Sequence, residues 1–257
     1  MSTHKHSHPF RKKWGQNFLV DKNLLERIAR TIDPQNNDSF LEIGPGEGAL
    51  TQYIFSKVKE MLAIEIDPLL FETLINREDL SGLKVINSDI LTQNIESLSV
   101  NYPVRIIGNI PYNITSSIIF WLIEQLDFWD DAFIMMQKEV AQRLTANIGT
   151  KEYSRISVVV GAYLDMEMCF KIPPDVFIPK PKVESAIIRF TKKSSPIVAD
   201  NQYVKFNKIV KMAFSKRRKM LRNSLNDFDI PVVFEGYGEG MSDLREFQFE
   251  EYLDRLI

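Results

Sequence analysis

The feature that most constrains this chain is a five-residue, largely apolar run, Ser39 to Ile43, that passes directly into the turn Gly44-Pro45-Gly46-Glu47-Gly48. A short run bounded by turn residues reads as a buried strand. The alternate glycines behind it let the backbone approach a ligand closely, because no side chain stands in the way. Similar punctuation recurs along the chain. Asp21 caps a helix with Leu24, Leu25, Ile28 and Ile32 at helical spacing, which ends before Pro34. A helix from about Ala49 to Lys57 follows the glycine turn, Met61 to Ile66 forms a second strand, and Pro68 opens the next helix in its first turn. Leu83 to Asn87 and Val104 to Ile107 supply strands three and four. Ile114 to Leu126 reads as an apolar helix, Ala132 to Met136 as a fifth strand, and Lys138 to Thr145 as a helix. Ile156 to Tyr163, Met166 to Ile172 and Ser185 to Phe190 read as later strands, the last pair antiparallel. Such alternation requires right-handed crossovers and gives an α/β fold, with a Rossmann-like, mostly parallel central sheet covered on both faces.

After Thr191 the pattern changes. Lys192 to Asn201, with Ser194, Ser195 and Pro196, reads as a linker, and the remainder as helical apart from a Gly-rich turn at Gly236, Gly238 and Gly240. The expected organisation is a basic arm over residues 1–20, a catalytic domain over 21–191 and a small helical domain over 192–257. Charge follows these divisions. The whole chain of 257 residues carries a net −2, yet Asn201 to Asn226 contains no acid and eight cations: Lys205, Lys208, Lys211, Lys216, Arg217, Arg218, Lys219 and Arg222. Lys5, Arg11, Lys12 and Lys13 form a second basic cluster ahead of the first acid, Asp21. Two concentrated basic segments on an otherwise acidic body point to a polyanionic partner that docks at particular places. The single cysteine, Cys169, excludes an intrachain disulfide and reads as a core residue in a reducing, cytoplasmic setting. No apolar run is long enough for a membrane span or a signal peptide. His4, His6 and His8 alternate in a terminus of disordered composition and are read as no metal site.

In open α/β sheets, ligands bind beyond the carboxyl ends of the strands. The polar residues there are Glu42 with the glycine turn, Glu65 and Asp67, Asp89, and Asn109. Glu65 lies 21 residues past Gly44, where this class of fold places an acid on ribose hydroxyls. NAD enzymes, flavoproteins and methyltransferases share that arrangement. Asn109-Ile110-Pro111-Tyr112, directly after strand four, separates them. Pro111 keeps Ile110 extended, so that a backbone carbonyl and the Asn109 side-chain oxygen can each accept a hydrogen from an exocyclic amine. Tyr112 can stack on a flat base, a contact worth roughly 1–3 kcal/mol. An amine attacking a methyl sulfonium needs positioning more than a general base, and accepting carbonyls favour the positive charge growing on nitrogen.

Five segments in order resemble the motif series of the ribosomal RNA adenine dimethyltransferases. They are Gly15-Gln16-Asn17-Phe18-Leu19, Glu42 through Thr51, Glu65-Ile66-Asp67, Asn109 through Asn113, and Phe177 through Ser185. The likeness runs from about Arg11 to Leu225. Phe214 through Leu225 and Gln137 through Leu144 resemble the small-subunit branch, which acts in ribosome assembly, more than the Erm-type large-subunit branch of macrolide resistance. The resemblance implies a class I S-adenosylmethionine-dependent methyltransferase that dimethylates two adjacent adenosines in a hairpin loop near the 3′ end of small-subunit (16S) RNA. It implies cofactor contacts from Asn17, Leu19, Gly44, Gly46, Glu65, Asp89 and Asn109. It implies catalytic roles for Asn109, Pro111 and Tyr112, with Phe177 closing the other face of the base. Arg11, Lys12, Lys13, Lys208, Lys211, Lys216, Arg217, Arg218, Lys219 and Arg222 would contact RNA phosphates. The expected partner is the small ribosomal subunit, bound by a monomer with no membrane association. Three alternatives stay open: the Erm branch, a DNA adenine methylase, and a non-catalytic assembly or transcription factor of the same fold.

Overall fold

The computed structural model describes residues 17–199, 202–215, 234–236 and 244–246. Its strands are β1 (Phe18–Leu19), β2 (Ser39–Ile43), β3 (Glu60–Glu65), β4 (Lys84–Asn87), β5 (Val104–Asn109), β6 (Trp129–Gln137), β7 (Leu164–Ile172), β8 (Phe177–Ile178), β9 (Ser185–Lys192), β10 (Phe234–Gly236) and β11 (Leu244–Glu246). Its α-helices are α1 (Lys22–Ile32), α2 (Thr51–Ile54), α3 (Pro68–Ile75), α4 (Thr115–Glu124), α5 (Lys138–Leu144), α6 (Arg155–Gly161) and α7 (Tyr203–Ser215). Seven strands form one sheet in the order β4-β3-β2-β5-β6-β9-β7. Only β9 runs against the rest, antiparallel to both β6 and β7.

Both faces of the sheet are buried along its central strands. Leu41 and Ile43 of β2, Leu62 and Ile64 of β3, and Val104 and Ile106 of β5 pack under α4 and its neighbours in one core. Phe40, Met61 and Ile107, on the alternate positions, pack with Leu25, Ile28 and Ile32 of α1 in the other. With both faces covered, the central strands read as apolar runs instead of alternating ones. The chain winds outward from β2 through β3 to β4, then returns to lay β5 beside β2. That reversal opens a crevice at the carboxyl ends of β2 and β5. At the opposite end, Arg105 donates to Asp131 and to Asp38, each at 2.8 Å, and to the Ile32 carbonyl at 2.7 Å. The large ion-pair network thus lies away from the crevice.

Several sequence expectations need correction. Ile156 to Tyr163 is not a strand: Arg155–Gly161 is helical, with Ser154 N–H donating to Ser157 Oγ at 2.9 Å. β-branched Ile156, Val158, Val159 and Val160 favour a strand by propensity, but a buried position among α4, α5 and α7 overrides that weak preference. The helix expected over Ala49 to Lys57 is one α-turn, Thr51–Ile54, followed by a 3-10 turn, because left-handed Gly48 (φ 78°) delays its start. The C-terminal segment is not helical throughout: β10 and β11 pair antiparallel around the Gly-rich stretch. Cys169 is only half-buried, at the edge of the second core, and burial raises its thiol pKa. Strands β1 and β8, each of two residues, pair with Leu19 opposite Phe177 and were not anticipated. Among the described residues, no helix is long and apolar enough to cross a membrane.

Candidate active site

The glycine turn is fastened to its neighbours by backbone and by buried carboxylates. Gly44 N–H donates to the Ile64 carbonyl at 2.9 Å, which ties the turn to β3. Gly44, Gly46 and Gly48 all take left-handed φ values, 63°, 61° and 78°. Glu65 closes β3, and its side chain accepts from Gly46 N–H at 3.1 Å and from Asp67 N–H at 2.9 Å. Burial raises its pKa, opposed by those two donated hydrogen bonds. Arg77, beyond the end of α3, completes the fastening by donating to the Glu47 and Gly48 carbonyls at 2.6 and 3.3 Å.

Glu42, beneath the turn, is 3% exposed and accepts from the Thr51 hydroxyl at 2.6 Å. Burial pushes its pKa up to about 7, against the Thr51 hydrogen bond and with help from the nearby charge of Glu65. A carboxyl with a raised folded-state pKa contributes stability that is full below its unfolded value and declines as pH rises through the folded one. Glu42→Gln keeps the shape and removes the ionisation. Its thermal midpoint should therefore rise relative to wild type between pH 5 and pH 8, with a limiting difference of about 3 kcal/mol. A pH-independent gap between the two melting curves would contradict this ionisation.

Asn109 is the last residue of β5, and its Nδ2 donates to the Asn17 carbonyl at 3.0 Å. That contact commits the amide nitrogen and leaves Oδ1 as the acceptor. Pro111 (φ −57°, ψ 136°) leads into a single 3-10 turn, Tyr112–Ile114. Tyr112 is half-buried, and burial raises the pKa of its phenol. Asp89 caps the short turn after β4 by accepting from Leu91 N–H at 3.0 Å. Phe18 lies across the turn, its ring 3.0 Å from where a Cβ on Gly46 would stand.

One cleft gathers Asn17, Leu19, Gly44, Gly46, Glu65, Asp89, Asn109, Pro111 and Tyr112. Phe177 is not on its wall; 2% exposed, it packs in the second core behind Leu19. Lys208 and Lys211 are exposed on α7, while Arg11, Lys12, Lys13, Lys216, Arg217, Arg218, Lys219 and Arg222 lie outside the described residues. Among the described residues, the cleft wall holds four carboxyls, Glu42, Glu47, Glu65 and Asp89, and no Lys or Arg. Such a wall is poorly suited to the pyrophosphate of a dinucleotide and well suited to a cation.

Comparison with known proteins resolves the family. The profile described as "Ribosomal RNA adenine dimethylase" matches residues 7–230. The chain belongs to the ribosomal RNA adenine dimethylase family. A relative from Xylella fastidiosa (strain Temecula1), named "Ribosomal RNA small subunit methyltransferase A", is 40% identical over 90% of this chain and 88% of its own. Another of that name, from Francisella tularensis subsp. novicida, is 42% identical over 84% and 83%. Among solved structures, a dimethyladenosine transferase from Plasmodium falciparum superposes with a TM-score of 0.71 at 28% identity, covering 81% of this chain and 74% of that one. The 23S rRNA methyltransferase ErmE superposes at 0.65 and 31%, covering 83% and 85%. Arg77, on the Glu47 and Gly48 carbonyls, and Ser185, whose Oγ lies 2.7 Å from the Tyr112 phenol oxygen, are contacts the sequence reading did not single out. Each acts on residues far away in the chain; Ser185 closes the Phe177–Ser185 segment, but nothing local in that segment points to Tyr112.

Proposed function

We propose that this protein transfers methyl groups from S-adenosylmethionine to the exocyclic amines of two adjacent adenosines in the 3′-terminal hairpin loop of small-subunit ribosomal RNA. The observation that carries this reading is the meeting of the glycine turn and the Asn109–Tyr112 strand end in one acid-walled cleft whose described residues include no Lys or Arg. The small-subunit assignment rests on the 40–42% identity to relatives named for that substrate.

The bound cofactor supplies an electrophilic methyl on a positively charged sulfur, which ionised carboxylates on the cleft wall favour electrostatically. Gly44 and Gly46 admit its methionine end. Glu65, at the carboxyl end of β3, takes the ribose hydroxyls, and Asp89 accepts from the cofactor adenine's amine. Asn17 and Leu19 complete that wall. Asn109 Oδ1 and the Ile110 carbonyl accept hydrogens from the target amine and hold its lone pair toward the methyl. Tyr112 stacks on the base. Phe177 acts through Leu19, its partner across β1 and β8, which lines the cleft. A loop adenosine suits this arrangement because it is cheap to unstack.

The 192–257 segment then serves as the RNA-docking domain, with exposed Lys205, Lys208 and Lys211 along α7 continuing into the basic run that follows. Replacing Lys216, Arg217 and Arg218 together by Ala should weaken RNA binding and lower the slope of log K against log salt by about 2 to 3. An unchanged slope would remove that segment from the interface. The deciding assay offers labelled S-adenosylmethionine with undermethylated small subunits and, separately, naked large-subunit RNA. Label should enter only the former. Label in the large-subunit RNA would place the chain in the Erm branch. Full biological function in a Glu65→Ala strain without methylation would favour a non-catalytic factor.

A further inference from the structure

The Tyr112 ring is held at both ends. At its backbone end, Ile114 N–H donates to the Pro111 carbonyl and the Thr115 hydroxyl to the Tyr112 carbonyl, each at 3.2 Å. At its tip, the phenol oxygen lies 2.7 Å from Ser185 Oγ. Ser185 is a rigid anchor. It opens β9, is fully buried, and stands opposite Gln137 of β6 and Ile172 of β7 at once. Glu184, just before it, accepts from Lys138 N–H at 2.9 Å and pairs with the Lys138 ammonium.

Packing alone does not explain a serine here. Ala186, Ile187 and Ile188 continue the strand as buried apolar residues, and a buried hydroxyl is costly unless bonded. The bond it makes reaches out of the core to the ring of Tyr112, which with Phe18 lines the cleft. Without it, the half-buried ring would be fixed only through its backbone and free to change plane. A base stacked on that ring takes its own plane from it.

We propose that Ser185 is a positioning residue for methyl transfer: its hydroxyl sets the plane of the Tyr112 ring and so aligns the target amine with Asn109. The inference rests on the reading of Tyr112 as the base-stacking face. It also assigns the phenolic oxygen an orienting task distinct from the stacking done by the ring.

The test compares single-turnover methylation of undermethylated small subunits by Ser185→Ala, Tyr112→Phe, the double variant and Tyr112→Ala. Tyr112→Phe breaks the same hydrogen bond from the cleft side while leaving the β9 core untouched, so a folding defect in Ser185→Ala cannot mask the result. Each of the two conservative variants should lower the methylation rate about fivefold, as expected for one net hydrogen bond. The double variant should fall no further than either, and the Kd for S-adenosylmethionine should stay near the wild-type value in all three. A double variant slowed about 25-fold, the product of two independent effects, would overturn the proposal. So would an undiminished rate in Tyr112→Phe. Should Tyr112→Ala methylate as fast as wild type, the stacking reading itself fails. Should it be inactive while Tyr112→Phe is unimpaired, only the role of Ser185 fails.

Discussion

Asn109→Ala is expected to lower the rate of methyl transfer about 100- to 1000-fold, the range seen when one preorganised polar group is removed from a developing charge. The Kd for S-adenosylmethionine should remain within about threefold of wild type, an estimate reflecting that binding energy spread over the glycine turn, Glu65 and Asp89 survives the substitution. Asn109 Nδ2 is committed to the Asn17 carbonyl at 3.0 Å, which leaves Oδ1 as the acceptor of a residue that lines the cleft. Alanine removes that acceptor but leaves the Ile110 carbonyl, Pro111 and Tyr112 in place. Asn109→Asp separates orientation from acceptance. It keeps an acceptor but sets a carboxylate oxygen against the Asn17 carbonyl, and should recover little of the lost rate. Equilibrium binding by calorimetry and single-turnover methylation together decide the matter. A large rise in Kd with an unchanged transfer rate would make Asn109 a cofactor ligand alone.

What could be read from the chain beforehand was whatever is decided within a few residues. Asp21 and Asp67 cap their helices through backbone donors three and two residues ahead, as their positions before apolar runs imply. Ser39–Ile43 is a strand to the residue because the glycine turn ends it abruptly. Most of the site was legible for the same reason: the polar residues cluster at strand ends, and the sheet order alone brings those ends together. The misreadings arise where distant parts of the chain decide. Ile156 to Val160 carries strand-forming side chains, yet its place against α5 and α7 makes it a helix. Phe18–Leu19 and Phe177–Ile178 are too short to show a period, and pair only because the fold brings the arm to the loop after β7. That pairing buries Phe177, for which the family resemblance implied a place on the other face of the base. Arg77 and Ser185 likewise gained their roles from residues remote in sequence.

The glycine turn offers a second large effect, because two of its glycines are constrained for different reasons. Gly44→Ala is expected to raise the Kd for S-adenosylmethionine about tenfold or more while costing the fold only about 1–2 kcal/mol of left-handed backbone strain. A Cβ there would meet only the Asn109 carbonyl oxygen, at 3.9 Å, so the protein itself has room for it. The space it would occupy belongs to the cleft. Gly48→Ala should do the reverse. Its Cβ would come within 3.0 Å of Arg77 Nη1, Leu74 Cδ2 and Leu80 Cδ1 at once, with both leucines buried. Overpacking of about 1–3 kcal/mol adds to the strain, and for a chain this size the thermal midpoint should fall by roughly 5–15 °C. Thermal melts with and without S-adenosylmethionine distinguish the two: Gly44→Ala should lose the ligand-induced rise, and Gly48→Ala should keep a rise from a lower baseline. The prediction depends on Gly44 facing the cofactor and Gly48 facing the core. If the Gly44→Ala protein still gains the full wild-type rise on adding the cofactor, the methionine end does not sit against this turn, and the acid-walled cleft must receive its cation in another orientation.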